Sequence, residues 1–190
     1  MMKKTLLAAT LSSVLLIPAF VNASEYKIDS KGAHASINFR VSHLGYSFIQ
    51  GRFNKFDGFF SFDDKNIETS KVTVNIDTRS LDSNHAERDK HIKSADFINA
   101  GKFSSAKFSS TKVTQKSAGG LAIEGNLMLH GMTQKITIDA QLTGAGKDPW
   151  GGYRAGFQGT TRLQLADFGI PVMGNSSYVD MDLYIEGIRL

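Results

Sequence analysis

A chain of 190 residues with no cysteine and a formal charge of only +4, from 22 basic and 18 acidic side chains, excludes several classes at once. It can build neither a disulfide framework nor a thiolate metal site, and it cannot be anchored by a lipidated N-terminal cysteine. It also has no basic run and no alternation of aromatic with basic residues, so nucleic acid is not an expected partner.

Met1-Met2-Lys3-Lys4 precedes an apolar stretch from Leu6 to Phe20, which ends in Val21-Asn22-Ala23 before the sequence turns polar. The apolar core is shorter than the roughly 20 residues of a spanning helix, and the small residue Ala23 suits a cleavage site. A secretory signal peptide over residues 1–23 is predicted, with one mature domain over 24–190 in the periplasm and no permanent membrane anchor. Lys3 and Lys4 leave with the signal.

Ile37, Phe39 and Val41 alternate with Asn38, Arg40 and Ser42, the period-2 pattern of a strand with one buried face. Phe60 and Phe62 follow a turn predicted at Asp57-Gly58. Val72, Val74 and Ile76 alternate with Thr73, Asn75 and Asp77. Further runs carry Leu127 and Leu129 after Gly125, Ile136 and Ile138 after a turn at His130-Gly131, Leu163 and Leu165, and Val179, Met181, Leu183 and Ile185. Turn signals stand at Gly119-Gly120, Gly144 through Gly146, Asp148-Pro149 with Gly151-Gly152, and Gly174-Asn175. Many short alternating strands predict an all-β sandwich or barrel.

One helix is expected, from Ala86 to about Ser94, with Asn84 as N-cap and Glu87 completing a capping box. An outer-membrane barrel has similar length and the same export signal. Its strands need about 9 to 11 alternating residues, whereas most runs here hold five to seven, so a soluble barrel is preferred. All 13 phenylalanines except Phe20, Phe157 and Phe168 fall between Phe39 and Phe108. They either fill an ordinary β core or line a cavity for an apolar ligand, and pattern alone does not separate the two.

The densest polar cluster runs from Ser80 to Phe97. On a helix His85 and Asp89 lie four apart and Arg88 and His91 three apart, so each pair could share a face. Three readings stand together: a solvated helix, an anion site built on His85, Arg88 and Lys93, and a metal site, for which a third ligand is missing. His43 continues the Ile37-Phe39-Val41 face and suits a pocket rim. No Gly-x-Ser-x-Gly elbow, His-Glu-x-x-His helix or phosphate-cradling glycine loop is present, so catalysis is not expected.

Taken in order, these motifs resemble the YceI-like family. The resemblance is carried by Tyr26-Lys27-Ile28-Asp29 with His34, His43-Leu44-Gly45, Gly51-Arg52-Phe53 with Phe56-Asp57-Gly58, Arg88-Asp89-Lys90-His91, Phe103 with Phe108, Gly125-Asn126-Leu127, Gly131-Met132-Thr133 and Asp167-Phe168-Gly169-Ile170. The loop Asp148-Pro149-Trp150-Gly151-Gly152 is similar to that of the exported proteobacterial branch. Leu165 departs from it, since many members carry arginine two residues before the Asp-Phe-Gly.

The resemblance implies an eight-stranded antiparallel lipocalin-like barrel with a short helical insertion near residues 84–96, often assembled as a homodimer. It implies carriage or storage of a long isoprenoid or related lipid, such as a polyprenyl phosphate, quinone or fatty amide, with no cofactor required. A ligand-free interaction or stress protein, or an enzyme acting on such a lipid, would share these features. Alternation predicts that Phe39, Val41, Phe60, Val74, Ile76, Leu127, Ile138, Phe157 and Met181 line the pocket. The polar end of the ligand is expected near His43, His85, Arg88, His91 and Lys93.

Overall fold

The computed structural model describes residues 23–117, 119–172, 174 and 176–190, so the predicted signal through Asn22 lies outside the described residues. Eleven antiparallel strands follow: β1 Ser24–Ile28, β2 Ser36–His43, β3 Ser47–Phe53, β4 Phe56–Phe62, β5 Lys71–Asp77, β6 Leu81–Asp82, β7 Ser105–Gln115, β8 Leu121–Leu129, β9 Met132–Lys147, β10 Tyr153–Gln164 and β11 Tyr178–Arg189. One helix, α1 (Ala86–Ile92), lies between β6 and β7.

The register reduces eleven strands to an eight-stranded meander. β11 pairs with β2 from Val179 to Tyr184 and with β1 from Gly187 to Arg189, so β1 and β2 are two halves of one strand interrupted by residues 29–35. β3 and β4 pair with those same halves, while β6 and β5 pair with β3 and β4 in turn. The breaks at Asn54-Lys55 and at residues 78–80 sit side by side. Ser80 fastens them, its carbonyl accepting from the Asn54 N–H and its hydroxyl oxygen from the Lys55 N–H. Closure of β11 on β1 completes the barrel and leaves no open edge in the ring.

Three expectations need correction. Asp57-Gly58 is not a turn, because both residues lie inside β4. Gly58 faces inward, where an added Cβ would come within 2.3 Å of the Thr73 carbonyl. Gly144 through Gly146 is not a turn either, since it pairs with Arg154–Gly156. There the β9–β10 hairpin is largely exposed on both faces, and no apolar alternation marks it as strand. Third, strands of five to seven residues underestimate β7, β9, β10 and β11, which have 11, 16, 12 and 12.

The length argument against a membrane barrel therefore falls, but polarity replaces it. Lys135, Thr137, Asp139 and Gln141 point outward from β9, and Arg162 and Arg40 both donate to Asp180 on the outer face. Most apolar strand residues turn inward, with outward exceptions such as Phe59 and Tyr184, the reverse of a barrel whose outside faces lipid.

The 29–35 interruption is held by charge. Asp29, only 8% exposed, accepts from His34 Nδ1 at 2.9 Å, from Arg154 Nη1 at 2.9 Å and from the Gly32 N–H at 2.9 Å. Arg154 also donates to Glu186 and Asp148. Asp148 in turn accepts from the Trp150 and Gly152 N–H groups, which closes the loop that sequence alone marks as distinctive. The His34 hydrogen bond, helped by Arg154 and Gly32, holds the Asp29 carboxyl at about 2 against the opposing pull of burial.

Because the folded-state pKa lies below the ordinary 3.8, the stabilisation is complete above about pH 4 and disappears as pH falls toward 2. At 1.36 kcal/mol per pKa unit it amounts to about 2 kcal/mol. Urea unfolding between pH 5 and pH 2 should show the wild type losing about that much more stability than Asp29→Asn. Parallel curves would mean that the network does not hold the loop.

Candidate functional site

Inward side chains at every second position meet across the barrel, yet many of them are not fully packed. Ile123, Ile136, Ile138, Leu183 and Ile185 face inward but remain half-buried, because they border free space. The space is one continuous cavity of about 560 Å³ running along the barrel, with a wall that is almost entirely apolar.

Glycine and phenylalanine shape that wall together. Phe39 lies over Gly51 on the neighbouring strand, Phe108 over Gly125, and Phe60 reaches past β1 to Gly187; an added Cβ at those glycines would meet the rings at 2.3, 2.5 and 2.4 Å. The ring tips thus occupy the space of the missing Cβ atoms, which draws them back against the wall. At one end Phe60, Phe62 and Phe157 form an aromatic floor, Phe157 standing edge-on to the other two at 5.5 and 5.1 Å. Tyr26, stacked on Phe60 at 4.8 Å, and Ala155 are packed behind them.

The other end is covered by the α1 insertion. Ile92, Phe97 and Ile98 close over the lumen together with Leu165 and Ile170 from the β10–β11 connection. Here the wall reaches solvent through His43, His91 and the half-exposed Leu44, while Lys71 reaches it beside the aromatic floor. His91 stands edge-on to Phe97 at 4.8 Å.

All nine positions chosen from alternation, Phe39, Val41, Phe60, Val74, Ile76, Leu127, Ile138, Phe157 and Met181, lie on this wall. Of the five polar candidates His43, Arg88 and His91 also lie there, whereas His85 and Lys93 do not. His85 rather than Asn84 is the N-cap of α1. Asn84 is left-handed with φ of 60°, and the His85 ring nitrogen Nδ1 accepts from the Arg88 N–H at 3.2 Å. Lys93 Nζ donates to the Leu81 carbonyl at 3.2 Å.

Asp89 does not pair with His85 in a metal site. It is buried and accepts from the N–H and hydroxyl of Ser83. Arg88 is committed to the same residue, with Nε donating to Ser83 Oγ at 2.8 Å and an Nη to its carbonyl. Asp29, His34 and Glu186 bring possible ligand atoms within 4.8 Å of one another, but Arg154 already bridges the two carboxylates as their counter-ion.

Several wall residues are absent from the lining predicted from sequence. Phe108, Ile123, Ile136, Leu163, Leu183 and Ile185 share the alternation that identified their neighbours, so that signal was available for them. Ile92, Phe97, Ile98 and Ile170 lie in the insertion and the β10–β11 connection, where no strand period marks them.

Known proteins agree with this architecture. Among solved structures, Burkholderia cenocepacia BcnA superposes with a TM-score of 0.75 at 17% identity, covering 84% of this chain and 98% of its own. A Campylobacter jejuni YceI protein gives 0.70 at 24% identity, over 78% of this chain and 89% of that one. A polyisoprenoid-binding domain from Saccharophagus degradans gives 0.62 at 16%, over 88% and 99%. A UPF0312 protein of Vibrio cholerae is 65% identical over 188 residues, which is 99% of this chain and 100% of its own length. A UPF0312 protein of Shewanella denitrificans is 58% identical over 190 residues, again 99% and 100%. Residues 26–186 match the YceI-like domain, and the chain belongs to that family.

Proposed function

We propose that this protein carries or stores a long isoprenoid or related lipid in the periplasm, holding the apolar chain inside the barrel. The observation that carries the reading is the continuous, almost wholly apolar cavity of about 560 Å³. Such a lumen has little to offer water and little with which to orient a polar substrate, but each methylene it removes from water contributes about 0.8 kcal/mol. At about 30 Å³ per water-sized group, 560 Å³ has room for roughly nineteen methylene-sized groups, a little under four isoprene units. A longer tail would leave through a rim. The polyisoprenoid-binding description of the Saccharophagus degradans domain supports the same ligand class.

The location rests on the sequence pattern of residues 1–23, read as a cleaved export signal. Native mass spectrometry of protein from the periplasmic fraction should give the mass of a chain beginning at Ser24 plus one lipid. Protein retained in the cytoplasmic fraction, still beginning at Met1, would contradict the location. Bare protein that takes up no prenyl chain on titration would contradict carriage.

The polar end of the ligand belongs at the insertion end of the barrel, where Ser42, His43, Arg88 and His91 supply polar atoms beside the rim. A buried head group without partners would be costly, so it should remain where solvent or these donors reach it. Arg88 acts there mainly as a support, because its Nε and one Nη donate to Ser83. Arg88→Ala should therefore weaken a prenyl phosphate and the matching prenyl alcohol by similar factors in calorimetric titrations. It should also destabilise the fold by about 1 to 3 kcal/mol through the buried groups it leaves unpaired. A loss confined to the phosphate would instead assign Arg88 to the head group.

A further inference from the structure

We propose that Gly187 is a specificity-determining position that sets how far an apolar chain can reach into the barrel, by giving the Phe60 ring a recess outside the lumen. The inference rests on the lipid-carrier reading and deepens it. Gly187 faces inward on β11, two residues beyond Ile185, the last β11 residue on the cavity wall. The Phe60 ring from β4 passes across β1, stacked on Tyr26 with an interplanar angle of 8°, and lies against Gly187. A Cβ at that position would stand 2.4 Å from one ring carbon of Phe60 and 2.7 Å from another. Both distances are far inside van der Waals contact.

The direction in which the ring would move is constrained. One face is covered by Tyr26, and the Phe157 ring stands perpendicular to it with its centroid 5.5 Å away. The free volume next to Phe60 is the cavity itself. The third near neighbour of the added Cβ is Tyr26 Cβ at 3.0 Å, which asks β1 to give by only a few tenths of an ångström, and no backbone carbonyl stands closer than that. The other two glycine recesses differ, because Cβ atoms at Gly51 and Gly125 would also strike the carbonyl oxygens of Asp82 and Ser109 at 2.7 and 2.6 Å. Gly187 is thus the recess where a methyl group acts chiefly on a ring, with a smaller adjustment of β1 than a carbonyl clash would force. A redirected Phe60 raises the floor of the lumen and shortens the longest chain that fits.

The test is a titration series with prenyl alcohols of two, three and four isoprene units, followed by calorimetry on wild type, Gly187→Ala and Phe60→Leu. Wild-type affinity should rise along the series. In Gly187→Ala the four-unit alcohol should lose about ten-fold or more, the usual effect of a methylene that no longer fits an apolar pocket. The two-unit alcohol should bind as it does to the wild type. Phe60→Leu should shift the preference the other way, towards the longest alcohol, and it decides the matter alone if Gly187→Ala does not fold. Variant series parallel to the wild type would overturn the role of Gly187 while leaving carriage intact. A wild type that binds none of the three alcohols would overturn carriage and this inference with it.

Discussion

Replacing Ile138 by aspartate is expected to reduce prenyl-chain binding by more than about 100-fold, or about 2.7 kcal/mol, while leaving the barrel folded. Ile138 sits in β9 midway along the lumen, packed on one side against the main core cluster and left half-buried because it borders free volume on the other. The apolar wall offers a carboxylate there no partner. The lumen opens to solvent at His43, His91 and Lys71, however, so water drawn in through the rims can keep it partly hydrated in the empty barrel at some cost in stability. Filling the barrel with an apolar tail strips that hydration and supplies no partner, which costs several kcal/mol or forces the group to take up a proton. Binding should therefore recover in part at low pH. Circular dichroism would establish the fold, and calorimetry against a four-unit prenyl alcohol would read the loss. Undiminished affinity in a folded variant would place the ligand elsewhere.

Phe168→Ala should be the most damaging of these substitutions to stability, by about 3 to 5 kcal/mol, the usual cost of truncating a fully packed aromatic. Phe168 is only 1% exposed and belongs to the main core cluster with Ile37, Phe39, Leu81 and Ile170. It ends a 3-10 turn over Leu165–Phe168, and Gly169 then adopts a left-handed φ of 63°. The backbone around it cannot easily relax into a cavity, because its carbonyl accepts from His130 Nδ1 at 2.9 Å and the Asp167 carbonyl accepts from Gln134 at 2.6 Å. Urea unfolding at neutral pH is the measurement. A loss below about 1 kcal/mol would mean that the insertion end of the barrel collapses around the missing ring.

The contrast between these two positions shows what sequence can and cannot disclose. Period-2 alternation identifies Ile138 as inward-facing because a strand has only two faces, so nine wall positions chosen from alternation alone all reach the same lumen. Whether an inward residue is packed or borders free space depends on its partners across the barrel. The recesses at Gly51, Gly125 and Gly187 that keep the lumen open are therefore invisible in the sequence. Glycine itself misleads, since Gly58 and Gly144 through Gly146 resemble turn signals but lie in strands.

The polar candidates fared less evenly for a related reason. Helical spacing groups residues by face, but it does not reveal the irregular Ser83 just before α1, which takes hydrogen bonds to both Arg88 and Asp89. His85 turns back to cap the helix and Lys93 reaches a strand carbonyl, leaving His43, Arg88 and His91 on the wall.

The central claim, that the apolar chain lies inside the barrel, is tested most directly by photo-crosslinking. A prenyl alcohol carrying a diazirine at the tail end would be bound to the protein, irradiated, and its adducts mapped by peptide mass spectrometry. The account predicts adducts on inward residues near the aromatic floor, such as Phe60, Val72, Phe157 and Ile185, and their loss on competition with unlabelled alcohol. Adducts concentrated on exposed side chains such as Tyr46, Trp150 or Tyr184, with the inward positions unlabelled, would contradict it.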